Sequence, residues 1–113
     1  MITISDPSKM LVRPEAVAAS RAAKILHNSI KQFSDGLKNE TDLVGATIIG
    51  SNIEPFVVRV ITYKDPDWLI VAGQDANGNP VRLVQHYTQV GLLLTVIPST
   101  EKRTRIGFHE WSE

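Results

Sequence analysis

The sequence contains no cysteine among its 113 residues. That excludes a disulfide framework and any thiolate metal site, and it suits a reducing compartment. No apolar run approaches the roughly 20 residues that a membrane-spanning helix needs, so no membrane partner is expected. The opening segment, MITISDPSKM, has neither a basic start nor an apolar stretch, so no secretory signal and a cytoplasmic location are expected. Net charge is lacking as well, because 12 basic residues balance 12 acidic ones. Proteins that grip nucleic acid through its phosphates usually carry a basic excess, which argues against strong non-specific nucleic-acid binding. A small anion held by a few arginines is still compatible with zero net charge. The usual phosphate loops, nucleophile elbows and zinc-helix motifs are missing. His27, His86 and His109 are isolated, without metal-ligand spacing. The expectation is therefore a protein that is not an enzyme, with no metal and no cofactor.

What is present is an ordinary folding inventory, 42% hydrophobic and 21% charged, in a chain long enough for one domain. Residues 1–13 read as a flexible arm and residues 14–113 as a single α+β domain. Pro14 and Glu15 suit a first helical turn. Ala18, Ala22, Ile25, Leu26, Ser29, Phe33 and Leu37 then fall on one stripe, so residues 14–38 are predicted to form one long amphipathic helix. The period changes at Leu43. LVGATIIGS (43–51), FVVRVITY (56–63), WLIVAG (68–73) and VRLVQH (81–86) read as strands, with Trp68–Gly73 central because it is apolar on both faces. Asn77-Gly78 marks a hairpin turn, since that pair tolerates positive φ. Asp75–Asn79 also echoes the start of a calcium loop but lacks the distal Glu. Residues 88–97 fit either a short helix or a strand, and Arg105–His109 reads as a last short strand. The fold expected is α+β: a long N-terminal amphipathic helix packed on a strongly bent antiparallel sheet of about five strands, conceivably a small Sm-like barrel.

Candidate chemistry gathers where VRLVQH ends. Gln85, His86, Tyr87 and Gln89 put four hydrogen-bonding side chains at one turn of the chain. Such a cluster either fixes the strand end as a polar network or serves a ligand or subunit interface. Strand alternation puts Gln85 on a face with Val81 and Leu83, and His86 with Arg82 and Val84. Lys102-Arg103-Thr104-Arg105 is a compact basic patch, either a solvated turn or an anion contact. Trp68 is expected to anchor the core, His27 to sit at a boundary, and His109 and Trp111 to belong to a frayed end.

A resemblance rests on Asn77-Gly78, Val81, Leu83, Gln85-His86, Gln89, Leu92-Leu93 and Arg105-Ile106-Gly107-Phe108. Over about Asp42 to Phe108 the chain resembles an uncharacterised family of small proteins of bacteria, phages and prophages, most specifically in VRLVQHYTQVGLLL and RIGF. The family implies a setting, a phage-encoded protein in the host cytoplasm with an anti-defence role, rather than a reaction. The order of elements also looks similar to the bacterial Sm-like RNA chaperone. There a Lys-His pair near a subunit boundary contacts RNA; here Gln85-His86 has Gln for Lys, and the basic excess is missing. The function expected is a homo-oligomeric binding protein that sequesters a small nucleotide-like ligand. Arg82, Gln85, His86, Gln89 and Arg105 are its candidate ligand-binding residues. The alternatives are an Sm-like RNA-binding ring and a protein-interaction module that inhibits a host protein through the helix.

Overall fold

A computed structural model describes residues 14–109 of the chain. The expected arm over residues 1–13 and the terminal Trp111 lie outside the described residues. A 3-10 turn, Pro14–Val17, leads into helix α1, Ala18–Asp35. Four strands follow as an antiparallel meander: β1 (Asp42–Ile48), β2 (Phe56–Lys64), β3 (Trp68–Gln74) and β4 (Pro80–His86). A second 3-10 turn, Tyr87–Gln89, precedes β5 (Leu92–Pro98), which returns beside β1 and gives the order β4-β3-β2-β1-β5. Of the two conformations expected for residues 88–97, the strand holds from Leu92 on, and only Thr88 and Gln89 lie in the 3-10 turn. The last strand, β6 (Gly107–His109), is shorter than expected and pairs with β2 in parallel, at Val60–Thr62. β3 takes one edge of β2, while β1, at Phe56–Val57, and β6 share the other. The architecture is α+β, one helix on a curled, largely antiparallel half-barrel.

The curl has a local cause. The β2–β3 register shifts between Val58 and Val60, which leaves Arg59 as an extra residue. A bulge of this kind bends the strand and increases its twist. It also changes which residues face inward. Phe56 and Val58 face the core before it and Ile61 after it, whereas Val60 borders a depression on the outer face together with Thr62. At the bulge Gly73 lies directly under β2, so close that a Cβ there would overlap the Val57 carbonyl oxygen.

The helix covers the inner face. Val44, Ala46, Phe56, Val58, Ile61, Leu69 and Val71 form the core with Ala23, Ile30 and Ile106. Fully burying a side chain such as Ile61 or Phe56 is worth about 1.5–3 kcal/mol. The buried line of α1 is not the predicted stripe. It runs through Ala19, Ser20, Ala23, Ile30 and Ser34, with Ala22, Leu26, Phe33 and Leu37 at its margins. Ile25, expected within the stripe, is 67% exposed. Small residues at 19 and 23 let the helix backbone approach the sheet closely, so the closest line follows side-chain size rather than hydrophobicity.

The start of α1 is fixed from outside the helix. Val17, at the cap position, makes no capping side-chain bond. Instead the Ala19 N–H donates to the Pro66 carbonyl (3.1 Å) and the Ser20 N–H to Asp65 Oδ1 (2.8 Å), both on the β2–β3 turn. A carboxylate at this end also complements the helix dipole. At the other hairpin Gly78 takes φ +81°, and Asp75 Oδ1 accepts the N–H groups of Asn77 and Asn79, each at 2.9 Å. The Asp75 carboxylate is thereby committed to shaping its own turn. No helix among the described residues is long and apolar enough to cross a membrane.

Candidate functional site

Antiparallel pairing sorts the polar end of β4 between two surfaces. Gln85 lies opposite Leu69 and Leu83 opposite Val71, on the side that meets the helix. Arg82 lies opposite Ala72, Val84 opposite Ile70 and His86 opposite Trp68, on the outer side. Gln85 and His86 are neighbours in sequence that look into different environments. The Gln85 Oε1 atom is buried and has no hydrogen-bond partner among the described residues. His86 is half-buried at the rim of the outer face.

On that outer face Arg82 borders a depression of about 310 Å³ floored by Val60, Ile70 and Ala72 and closed by Thr62 and His109. The Arg82 side chain is exposed and makes no hydrogen bond or ion pair among the described residues. His109, expected to fray, is instead held in β6, where the Thr62 hydroxyl donates to its carbonyl at 2.7 Å. Trp68 is a second correction: expected in the core, it is 46% exposed. It occupies an outward register position at the first residue of β3, facing β4 rather than the helix. Its indole meets the His86 ring edge-on with centroids 6.1 Å apart, and His86 stacks on Tyr87 at 4.7 Å.

The imidazole of His86 is oriented by its surroundings. Its Nδ1 accepts the Thr88 N–H at 3.3 Å and lies 2.8 Å from the Thr88 hydroxyl. An acceptor Nδ1 puts the ring proton on Nε2, which points towards Asp67 Oδ1 at 3.7 Å. The Tyr87 N–H donates to the Asp67 carbonyl at 2.9 Å, so the turn after β4 is laced to the turn before β3. His86 therefore caps the 3-10 turn and also presents one ring edge to the outer face.

The remaining two candidates stand apart. Gln89 is exposed on the 3-10 turn after β4. Arg105 lies on the segment between β5 and β6 and borders a different depression, with Lys31, Ser34 and Asp35 of the helix. The fold thus brings Arg82 and His86 to one face with Trp68 and His109, turns Gln85 inward, and separates Arg105.

Compared with family models, curated proteins and solved structures, the chain shows no match. The functional reading therefore rests on residue geometry. The sequence directed Trp68 to the core and His109 to a frayed end because a strand's first residue and a segment near the end of the chain carry no mark of what lies beside them. Only the register of β3 on β4 sets Trp68 beside His86, and only that of β6 on β2 brings His109 to the depression that Arg82 borders. Among the described residues no three His, Asp or Glu side chains converge as a metal ion would require.

Proposed function

We propose that the protein is a non-enzymatic, homo-oligomeric binding protein that holds a small nucleotide-like ligand on the outer face of its sheet. The observation that carries this reading is the Arg82 guanidinium, without a partner among the described residues, at the rim of an apolar depression on the outer face; the exposed Trp68 lies on the same face, opposite His86 and four residues along the ladder, roughly 13 Å away. A planar fork suits phosphate or carboxylate, and an exposed aromatic face suits a base or other flat ring. His86 and His109 add hydrogen-bonding edges at the same surface. The resemblance to phage and prophage proteins gives the proposed setting, an anti-defence sponge that lowers the free concentration of a nucleotide signal. Oligomer formation is supported by the order β4-β3-β2-β1-β5, which leaves β4 and β5 as open sheet edges, and by the exposed Leu93 and Val96 on β5. Open edges with apolar side chains call for cover, and closed symmetric assemblies supply it.

The test is mass spectrometry of small molecules released by heating the purified protein, followed by calorimetric titration of the species found and of a panel of mononucleotides and cyclic dinucleotides. Saturable binding that Arg82→Gln and Trp68→Ala both weaken, with the ligand recovered intact, is the expected result. Failure of every nucleotide to bind, or recovery of cleaved ligand in proportion to protein, overturns it. A second reading, an Sm-like RNA-binding ring, draws support from the leading helix, the strand order and the 3-10 turn between β4 and β5. RNA affinity that falls steeply with salt, together with a ring in light scattering, would favour it over the first.

A further inference from the structure

The segment between β5 and β6 is tied down along its length. The Arg103 N–H donates to the Glu40 carbonyl at 2.7 Å, and Arg103 Nη1 donates to the carbonyls of Asn39 (2.8 Å) and Asp42 (2.9 Å). The Ile106 side chain is buried, and its carbonyl receives the His27 Nε2–H at 3.0 Å. Between this segment and the last turns of α1 a depression of about 240 Å³ remains. Its charged lining is Lys31, Asp35, Arg103 and Arg105, three cations and one carboxylate. Asp35 already faces Lys31 at 3.7 Å, and Arg105 has no acceptor among the described residues. Like charges brought together around one cavity repel unless an anion joins them.

The neutral groups match. Ser34 borders the depression, is only 8% exposed, and its hydroxyl has no partner among the described residues. The Thr104 hydroxyl oxygen accepts from Arg59 Nη1 at 3.3 Å, which leaves its own hydrogen free to donate. We propose that Arg105, Lys31, Ser34 and Thr104 form a site for a tetrahedral oxyanion of the phosphate class, free or as the end of a phosphomonoester. This site is independent of the one proposed on the outer sheet face. Gly107, Val60, Ala72 and Arg82 occupy one row across β6, β2, β3 and β4. Three strand spacings, roughly 14 Å, therefore separate Gly107 from Arg82, and Arg105 turns to the helix side. Arg82 and Arg105 thus border separate depressions.

The experiment is a titration of the full chain with inorganic phosphate, followed by amide NMR, with sodium chloride at matched ionic strength as the control. The expected result is saturable movement of the Ser34, Asp35, Arg105 and Ile106 signals with phosphate alone. Arg105→Gln combined with Lys31→Gln should weaken binding by about tenfold or more, since each charge-assisted bond is strong. Asp35→Asn should strengthen it by removing the opposing carboxylate. A parallel titration with glycerol 3-phosphate separates the sources: tighter binding than phosphate assigns the site to a phosphomonoester, equal or weaker binding to the free ion. Identical movements with chloride, or unchanged affinity in the double variant with an otherwise unaltered spectrum, would overturn the proposal.

Discussion

Gly73 pairs with Val58 across β3 and β2, and the carbonyl of the neighbouring Val57 leaves no room for a side-chain carbon: a Cβ at 73 would fall on the Val57 carbonyl oxygen. The obstacle is backbone, held in place by the Arg59 bulge, and it cannot swing aside as the end of a flexible side chain could. Gly73→Ala must therefore shift β2 against β3. Overpacking of this kind costs about 1–3 kcal/mol, and in a domain of this size that lowers the melting temperature by roughly 5–20 °C. Gly107→Ala is the control, because a Cβ there meets Val60 Cγ2 at 3.4 Å, a side-chain atom that can yield. Equal melting temperatures for the two variants would show that the bulge is absent or freely movable.

Asp65 stabilises a helix 45 residues away by accepting the Ser20 N–H. Asp65→Ala should cost about 1 kcal/mol, as loss of a helix cap does. Hydrogen exchange should quicken first at residues 18–21 and not at β4. Uniform acceleration over the whole domain would contradict a local capping role.

Gln85 places a buried Oε1 acceptor where no donor among the described residues meets it. A buried unpaired polar group costs about 1–3 kcal/mol, and an apolar replacement of similar shape removes that cost. Gln85→Leu is expected to raise stability by roughly 1 kcal/mol and to leave ligand affinity untouched, because Gln85 faces the helix side. A loss of affinity without a change in melting temperature would return Gln85 to the binding site.

His27 links the helix to the end of the chain: Nε2–H donates to the Ile106 carbonyl, and the ring stands edge-on to Phe108 with centroids 5.4 Å apart. His27→Ala leaves that carbonyl without its donor, at about 1 kcal/mol or more. The measurable consequence is faster exchange of the Gly107–His109 amides, which depend on β6 staying paired with β2. Unchanged protection there would mean that the parallel pairing holds β6 without help from the helix.

His86→Ala separates the two roles of that residue. It removes the Nδ1 acceptor of the Thr88 N–H, which is a cap worth about 1 kcal/mol, so the melting temperature should fall by only a few degrees. Ligand affinity, measured by calorimetry, should fall as well. A large loss of melting temperature with unaltered affinity would leave His86 as a structural cap alone.

How much of this could be read from the residues differs by element. The Asn77-Gly78 turn, the strands read at 43–51, 56–63, 68–73 and 81–86, and the helix read at 14–38 were legible in place, because turn chemistry and local period are written in adjacent residues; their ends were not, since β1 stops at Ile48 and the α-helix runs only from Ala18 to Asp35. Alternation also split Gln85 from His86 correctly into opposite faces. The Arg59 bulge was not legible. FVVRVITY is apolar at almost every position, so shifting the register by one residue leaves the pattern looking the same.

The sequence by itself determined the element types outside residues 88–97, the position of the hairpin and the absence of any thiol chemistry, since each depends on neighbouring residues or on composition alone. Only the tertiary structure decided which line of α1 is buried, what caps its first turn, and which residues share a surface. Those outcomes depend on contacts between segments 45 to 79 residues apart, Asp65 with Ser20 and His27 with Ile106 among them. Local preference does not specify such contacts. They are chosen by the packing of the helix against a bent sheet and by the register of its strands, which bring Arg82 and His109 to one depression, Trp68 to His86, and Arg105 against the helix.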